Sequence, residues 1–204
     1  MSIVITQNKK SKERAWSRSP LPILSVAVMV CGLVLFGQGL WIHAKAYAAQ
    51  ILLEWAFTQS IASGDKVKPW SWADTWPVAR IEAPRLAASA ITLNGVGGQA
   101  LAFGPGHLQN TPKAGEAGTA VYAAHRDTHF AFLKNVEKGD LIRITRDDGK
   151  IFTYRATQMT VTRWDEAQID IHASGSYLVL ATCYPFEAVT QGPLRYLVYA
   201  ELEE

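Results

Sequence analysis

The sequence predicts an all-β domain, a small barrel or sandwich, carried behind one transmembrane helix and a helical stalk. Three observations carry that expectation: an uncharged apolar run near the N-terminus, a following segment in helical rhythm, and short β-type runs broken by Gly, Pro and Asn or Asp thereafter. A chain of 204 residues accommodates one compact domain plus a modest appendage.

Residues 19–44 contain no Asp, Glu, Lys or Arg, and 21–42 are dominated by Leu, Val, Ile, Ala and Gly. Coiled into a helix at about 1.5 Å per residue, this run exceeds a hydrocarbon core of roughly 30 Å. Trp16 and Trp41 bracket it as interfacial anchors do. Ahead of it stand Lys9, Lys10, Lys12, Arg14 and Arg18, opposed only by Glu13, which favours a cytoplasmic N-terminus and an extracytoplasmic remainder. A cleaved signal peptide is the rival reading, because Ala46-Tyr47-Ala48 has the A-x-A form, but the run is longer than the usual apolar region of about 7 to 15 residues. A buried core helix suits so long an uncharged run poorly.

Residues 45–62 place Ala48, Ile51, Leu52, Trp55 and Ala56 in helical rhythm, so the anchor is expected to continue as a stalk and to stop at Ser63-Gly64-Asp65. Two prolines and three tryptophans between Lys68 and Pro77 then make a connector, whose Trp side chains are expected to pack on the domain; a carbohydrate or lipid surface is the alternative use. This divides the chain into an expected basic tail (1–18), anchor (19–44), stalk and connector (45–76) and C-terminal β-type domain (77–204).

Within that domain the β-type runs are 78–83, 90–93, 119–123, 141–145, 151–159, 177–182 and 196–200. Asp147-Asp148-Gly149-Lys150 between two of them is a hairpin signal. No alternation with helices of a dozen residues is present, which excludes a βαβ architecture. The formal net charge of +2 is too small to indicate nucleic acid as a partner, and two cysteines as distant as Cys31 and Cys183 exclude a disulfide scaffold.

Cys183 closes the run Tyr177-Leu178-Val179-Leu180-Ala181-Thr182 and is followed by Tyr184-Pro185, so its thiol sits at a strand end, where nucleophiles meet substrates; a small buried residue is the structural alternative. His125 likewise ends a β run, which makes a thiol and imidazole pairing plausible. Arg195 opens the last strand. If that strand pairs antiparallel with 177–183, its guanidinium returns beside Cys183, where it can stabilise an oxyanion. Thr182 is a candidate to orient Cys183 through its hydroxyl, and Asp127 or His129 to position His125 or line the cleft. Two other readings compete: a zinc-dependent hydrolase using His107, His125 and His129, and an anchored barrel that binds a peptide or scaffolds an envelope complex without catalysis.

These residues resemble the sortase family. Leu180-Ala181-Thr182-Cys183 matches its T-L-x-T-C signature, His125 lies in a segment similar to A-G-H-R, and Arg195 falls where the family's basic residue follows the cysteine. Pro77 to Leu86, Gly104-Pro105-Gly106-His107 and Lys138-Gly139-Asp140 also resemble family phrases. Val179 stands where the signature has Thr and Ala124 where the segment has Gly. The run Ala124 to Phe130, with Thr182 to Phe186 and Gly192 to Tyr196, is similar to the Gram-negative, marine-proteobacterial branch. The resemblance implies a closed eight-stranded β-barrel and no cofactor. It also implies a cysteine transpeptidase or endopeptidase of the hydrolase class, with His125, Cys183 and Arg195 as catalytic residues. Its expected partners are a peptide sorting signal, an amine acceptor and the inner membrane, with the domain in the periplasm.

Overall fold

The computed structural model describes residues 21–190 and 192–203; the basic tail and Trp16 lie outside them. One helix, α1, runs over Leu21–Ser63. Among the described residues it alone is long and apolar enough to cross a membrane. The chain divides at Ala44 into two units. In the first, the apolar side chains of α1, such as Leu35 and Phe36, are exposed.

The second unit begins with the remainder of α1. Its buried face is Ala49, Leu53, Ala56, Phe57 and Ser60, not the stripe through Ile51, Leu52 and Trp55 that the sequence rhythm favours. Both sets obey a spacing of three and four, so periodicity alone cannot choose the face; Leu53 and Phe57 are selected because they pack on Ile91 and Leu93. The helix stops where expected, at Gly64, whose φ of +77° is the left-handed geometry glycine adopts without a Cβ penalty. Of the connector tryptophans, Trp70 lies edge-on to Phe103 and Trp76 lies under Lys66, as packing required, whereas Trp72 is 79% exposed and contradicts that expectation.

Eight strands form a closed barrel: β1 (Pro77–Ala83), β2 (Ala88–Asn94), β3 (Gly106–His107), β4 (Gly118–Ala123), β5 (Leu141–Arg146), β6 (Ile151–Arg163), β7 (Ser176–Cys183) and β8 (Leu194–Leu202). Their order around it is β1-β2-β3-β4-β7-β8-β6-β5, and β5 closes on β1. The β2–β3 and β4–β7 contacts are parallel; the others are antiparallel. Asp147 and its neighbours make the expected β5–β6 hairpin, with Thr145 opposite Ile151. The interior is filled by large side chains including Tyr122, Tyr154, Phe130, Leu178, Leu180 and Val198. Short helices complete the unit: α2 (Gly98–Phe103) and single 3-10 turns at Pro84–Leu86 and Ala131–Asn135.

β3 is absent from the sequence-based reading because two residues carry no period. Its glycines have a packing reason instead. A Cβ on Gly106 would stand 2.1 Å from the Gly95 carbonyl oxygen, and one on Gly104 would stand 2.5 Å from that of Ile91. Gly106→Ala must therefore push β3 away from the Gly95 carbonyl, at the parallel β2–β3 contact. It is expected to cost about 1–3 kcal/mol, read as a lower thermal midpoint of the full chain in detergent; an unchanged midpoint would remove this reason for the glycine. The segments Pro77 to Leu86 and Lys138-Gly139-Asp140 also meet in space. Arg85, in the first 3-10 turn, donates through Nη2 to Asp140 at 2.6 Å, and this bond holds the Asp140 carboxyl below its usual range.

Candidate active site

Side-chain alternation on β4, β7 and β8 decides which residues share a face. Tyr122 and Ala124, Leu178 and Leu180, and Val198 and Ala200 enter the barrel core. Val121, Val179 and Leu197 form a second cluster on the outer face, covered by Leu108, Ala167 and Ile169. Cys183 shares the parity of Val179, and Arg195 that of Leu197. Both therefore belong to the outer face, at one end of three adjacent strands.

Register brings them together. Cys183 lies directly opposite Arg195 in the antiparallel β7–β8 ladder, a pairing in which Cα atoms are about 4.5–5.5 Å apart. In the parallel β4–β7 ladder the last pair is Ala123 with Ala181, so His125 and Cys183 each lie two residues beyond a matched pair. The Cys183 thiol is free and half-buried, and His125 is exposed. Tyr184 to Pro193 form the connection that leaves β7 at Cys183 and re-enters the sheet beside it. Tyr184 N–H donates to the Leu194 carbonyl at 3.1 Å.

His125 opens a turn closed by a Phe130 N–H to His125 carbonyl bond of 3.1 Å, and Phe130 anchors that turn in the core. His129 comes back toward His125 at the end of the same turn. Burial, and then the nearby His125, push the His129 imidazole below its usual pKa, so it stays neutral. Asp127 is exposed and makes no hydrogen bond or ion pair among the described residues.

Thr182 is 3% exposed, and its hydroxyl donates to the Ala124 carbonyl at 2.7 Å. Its bond therefore goes to the residue before His125, not to Cys183 as the sequence suggested. It ties the strand ends that carry the two residues. Thr182→Val keeps the shape but leaves that carbonyl without its donor, so a stability loss of about 1–3 kcal/mol and a graded fall in turnover are expected. Turnover lost as fully as in Cys183→Ala would make Thr182 a primary residue instead.

Arg195 folds its guanidinium toward its own loop: Nη1 donates to the carbonyls of Gly192 at 2.9 Å and Leu194 at 2.8 Å. Nε and Nη2 make no hydrogen bond among the described residues. The zinc reading fails at His107. That ring is buried against Tyr122, its Nε2–H donates to the Pro112 carbonyl at 3.0 Å, and burial lowers its pKa. Among the described residues no group of three or more His, Cys, Asp or Glu gathers as a metal site. A cavity of about 270 Å³ does open on the outer face between Tyr177, Tyr199, Asp170 and Glu201. Its Tyr177 is at the far end of β7, about 20 Å from Cys183 at roughly 3.3 Å per residue, so it is separate from the thiol.

Sequence reading assigned no role to Arg126, although its guanidinium reaches the β7–β8 connection at the carbonyls of Ala188 and Thr190. It also missed the cluster of Tyr184, Phe186 and Tyr196 under that loop. The only available signal was an arginine and aromatics clustered at strand ends.

A barrel with a cysteine, a basic residue and a histidine on one outer edge defines a class, and comparison with known proteins names it. Residues 81–203 match the sortase domain, and the chain belongs to the sortase family. It is 32% identical over 122 residues to Sortase D of Bacillus subtilis, an alignment covering 59% of this chain and 61% of that one. The chain thus spans less than two thirds of that curated relative. Among solved structures, a Sortase D5 transpeptidase from Clostridium perfringens superposes with a TM-score of 0.63 at 20% identity, covering 78% of this chain and 99% of the other. A sortase E variant from Streptomyces avermitilis gives 0.53 at 30% identity, covering 63% and 88%.

Proposed function

We propose that this protein is a membrane-anchored cysteine transpeptidase that acts on a peptide sorting signal. The observation that carries the reading is the register on β7 and β8, which sets Cys183 directly opposite Arg195 on the face that His125 adjoins. In the first half-reaction the Cys183 thiolate attacks the scissile carbonyl carbon. The oxygen takes the negative charge beside Arg195, and the C–N bond breaks as protonated His125 donates to the departing amine. In the second, an incoming amine attacks the thioester and gives its proton to His125, while Cys183 leaves as thiolate. Water in place of the amine gives hydrolysis, the endopeptidase outcome. Incubating the full chain with a peptide it cleaves, with and without an added amine, distinguishes the two by product mass.

Residues 1–18 are the cytoplasmic tail of this reading, 19–44 the anchor, 45–76 the stalk and connector, and 77–204 the catalytic domain. The likeness of Ala124 to Phe130 to the Gram-negative branch, with the basic N-terminal flank, supports an inner-membrane protein whose domain is periplasmic. A single anchor holds such an enzyme where secreted substrates emerge and raises their effective concentration. Alkaline phosphatase fused after Glu204 is expected to be active; an inactive phosphatase beside an active cytoplasmic reporter at the same point would reverse the topology.

A further inference from the structure

We propose that Arg126 is a positioning residue that pins the β7–β8 connection and thereby presents Val189 as an apolar contact for the peptide substrate, an inference that rests on the transpeptidase reading above. Arg126 directly follows His125 but does not face the same partners. Its Nη2 donates to the Ala188 carbonyl and, at 2.9 Å, to the Thr190 carbonyl. Those carbonyls flank Val189, whose side chain is 100% exposed. Turning both inward toward the guanidinium leaves the intervening side chain no packing partner within its own loop.

The other restraints lie toward the ends of the connection, where Phe186 packs against the core and Arg195 Nη1 donates to the Gly192 carbonyl. Among its described residues the backbone bonds are Tyr184 N–H to Leu194 at one end and Ala188 N–H to Pro185 at 3.3 Å. Hydrogen bonds from a guanidinium are roughly twice as strong as neutral ones, so two from one nitrogen are a strong restraint on residues 188–190. Arg126 is also half-buried, and its Nη1 has no partner among the described residues. Desolvating a cation in order to hold a valine in water gives the fold no benefit. It gives an enzyme a rigid apolar edge within the loop that joins its nucleophile to its oxyanion donor. An apolar side chain of the bound peptide would cover Val189 and remove it from water.

Two measurements on the full chain in detergent test this. Hydrogen–deuterium exchange of the loop amides between Phe186 and Thr190 is expected to be about tenfold or more faster in Arg126→Ala than in wild type, and unchanged protection would overturn the clamp. Steady-state kinetics then use the peptide that wild-type enzyme selects from an internally quenched library. Arg126→Ala and Val189→Ala are each expected to raise KM about tenfold with kcat within about threefold, and the double variant to be no worse than either single one. Arg126→Lys, which keeps the charge and three donors but has a shorter reach and no planar fork, should recover part of the loss. Additive KM effects, or a fall in kcat at constant KM, would overturn the positioning role. Failure of the underlying reading looks different: wild-type protein would form no thioacyl adduct, while the exchange measurement would still report on the clamp.

Discussion

Cys183→Ala is expected to abolish turnover and to yield no covalent intermediate at any peptide concentration. The chain has only two cysteines, and the other, Cys31, lies within the apolar part of α1. The fold should survive, because Cys183 is on the outer face at a strand end and lies outside the packed core. Splitting amide transfer through a thioester requires a nucleophile that later becomes a leaving group, and an alanine methyl can be neither. Intact-mass spectrometry of the variant, alongside its thermal midpoint, checks both parts. A peptide adduct on the variant would show that another residue is the nucleophile.

Arg195→Ala should leave slow but detectable thioacyl formation. Removing one well-aimed oxyanion donor typically costs about 100- to 1,000-fold in rate, or roughly 3 to 4 kcal/mol. Here the loss has a second component, since Nη1 also holds the Gly192 and Leu194 carbonyls that shape the loop end. Arg195→Lys separates the two. An ammonium keeps the charge but has three donors in place of five, so holding both carbonyls would leave a single N–H for the oxyanion, and rescue should be partial. Single-turnover rates of adduct formation measure this directly, and an unimpaired rate in Arg195→Ala would remove the oxyanion role. His125→Ala, by contrast, should slow both half-reactions, because one amine must gain a proton and the other must lose one.

Much of this arrangement was legible before any coordinates. β5, β6 and β7 begin within a residue of their apolar runs, because alternation and turn residues there act locally. The β7–β8 pairing also followed from chain distance, and with it the approach of Arg195 to Cys183. Other features were not legible because their causes are tertiary. The buried face of α1 depends on which side meets Ile91 and Leu93, a choice that two equally periodic stripes leave open. β3 is defined by two close backbone approaches and not by a pattern. Thr182 bonds across to Ala124, and Arg126 to Ala188 and Thr190, over sequence separations that no local rule connects. His107 stood out as a possible ligand because histidine is conspicuous in a sequence, whereas its bond to Pro112 is visible only in space.

The central claim is that Cys183 becomes acylated. It is tested most directly by incubating wild-type protein with envelope extract in the absence of added amine, recording its intact mass, and mapping any added mass by proteolysis. A peptidyl adduct is expected on the segment containing Cys183, discharged by hydroxylamine as a thioester is, and absent from Cys183→Ala. A folded wild-type protein that acquires no adduct, or one that carries it on any residue other than Cys183, would contradict the account.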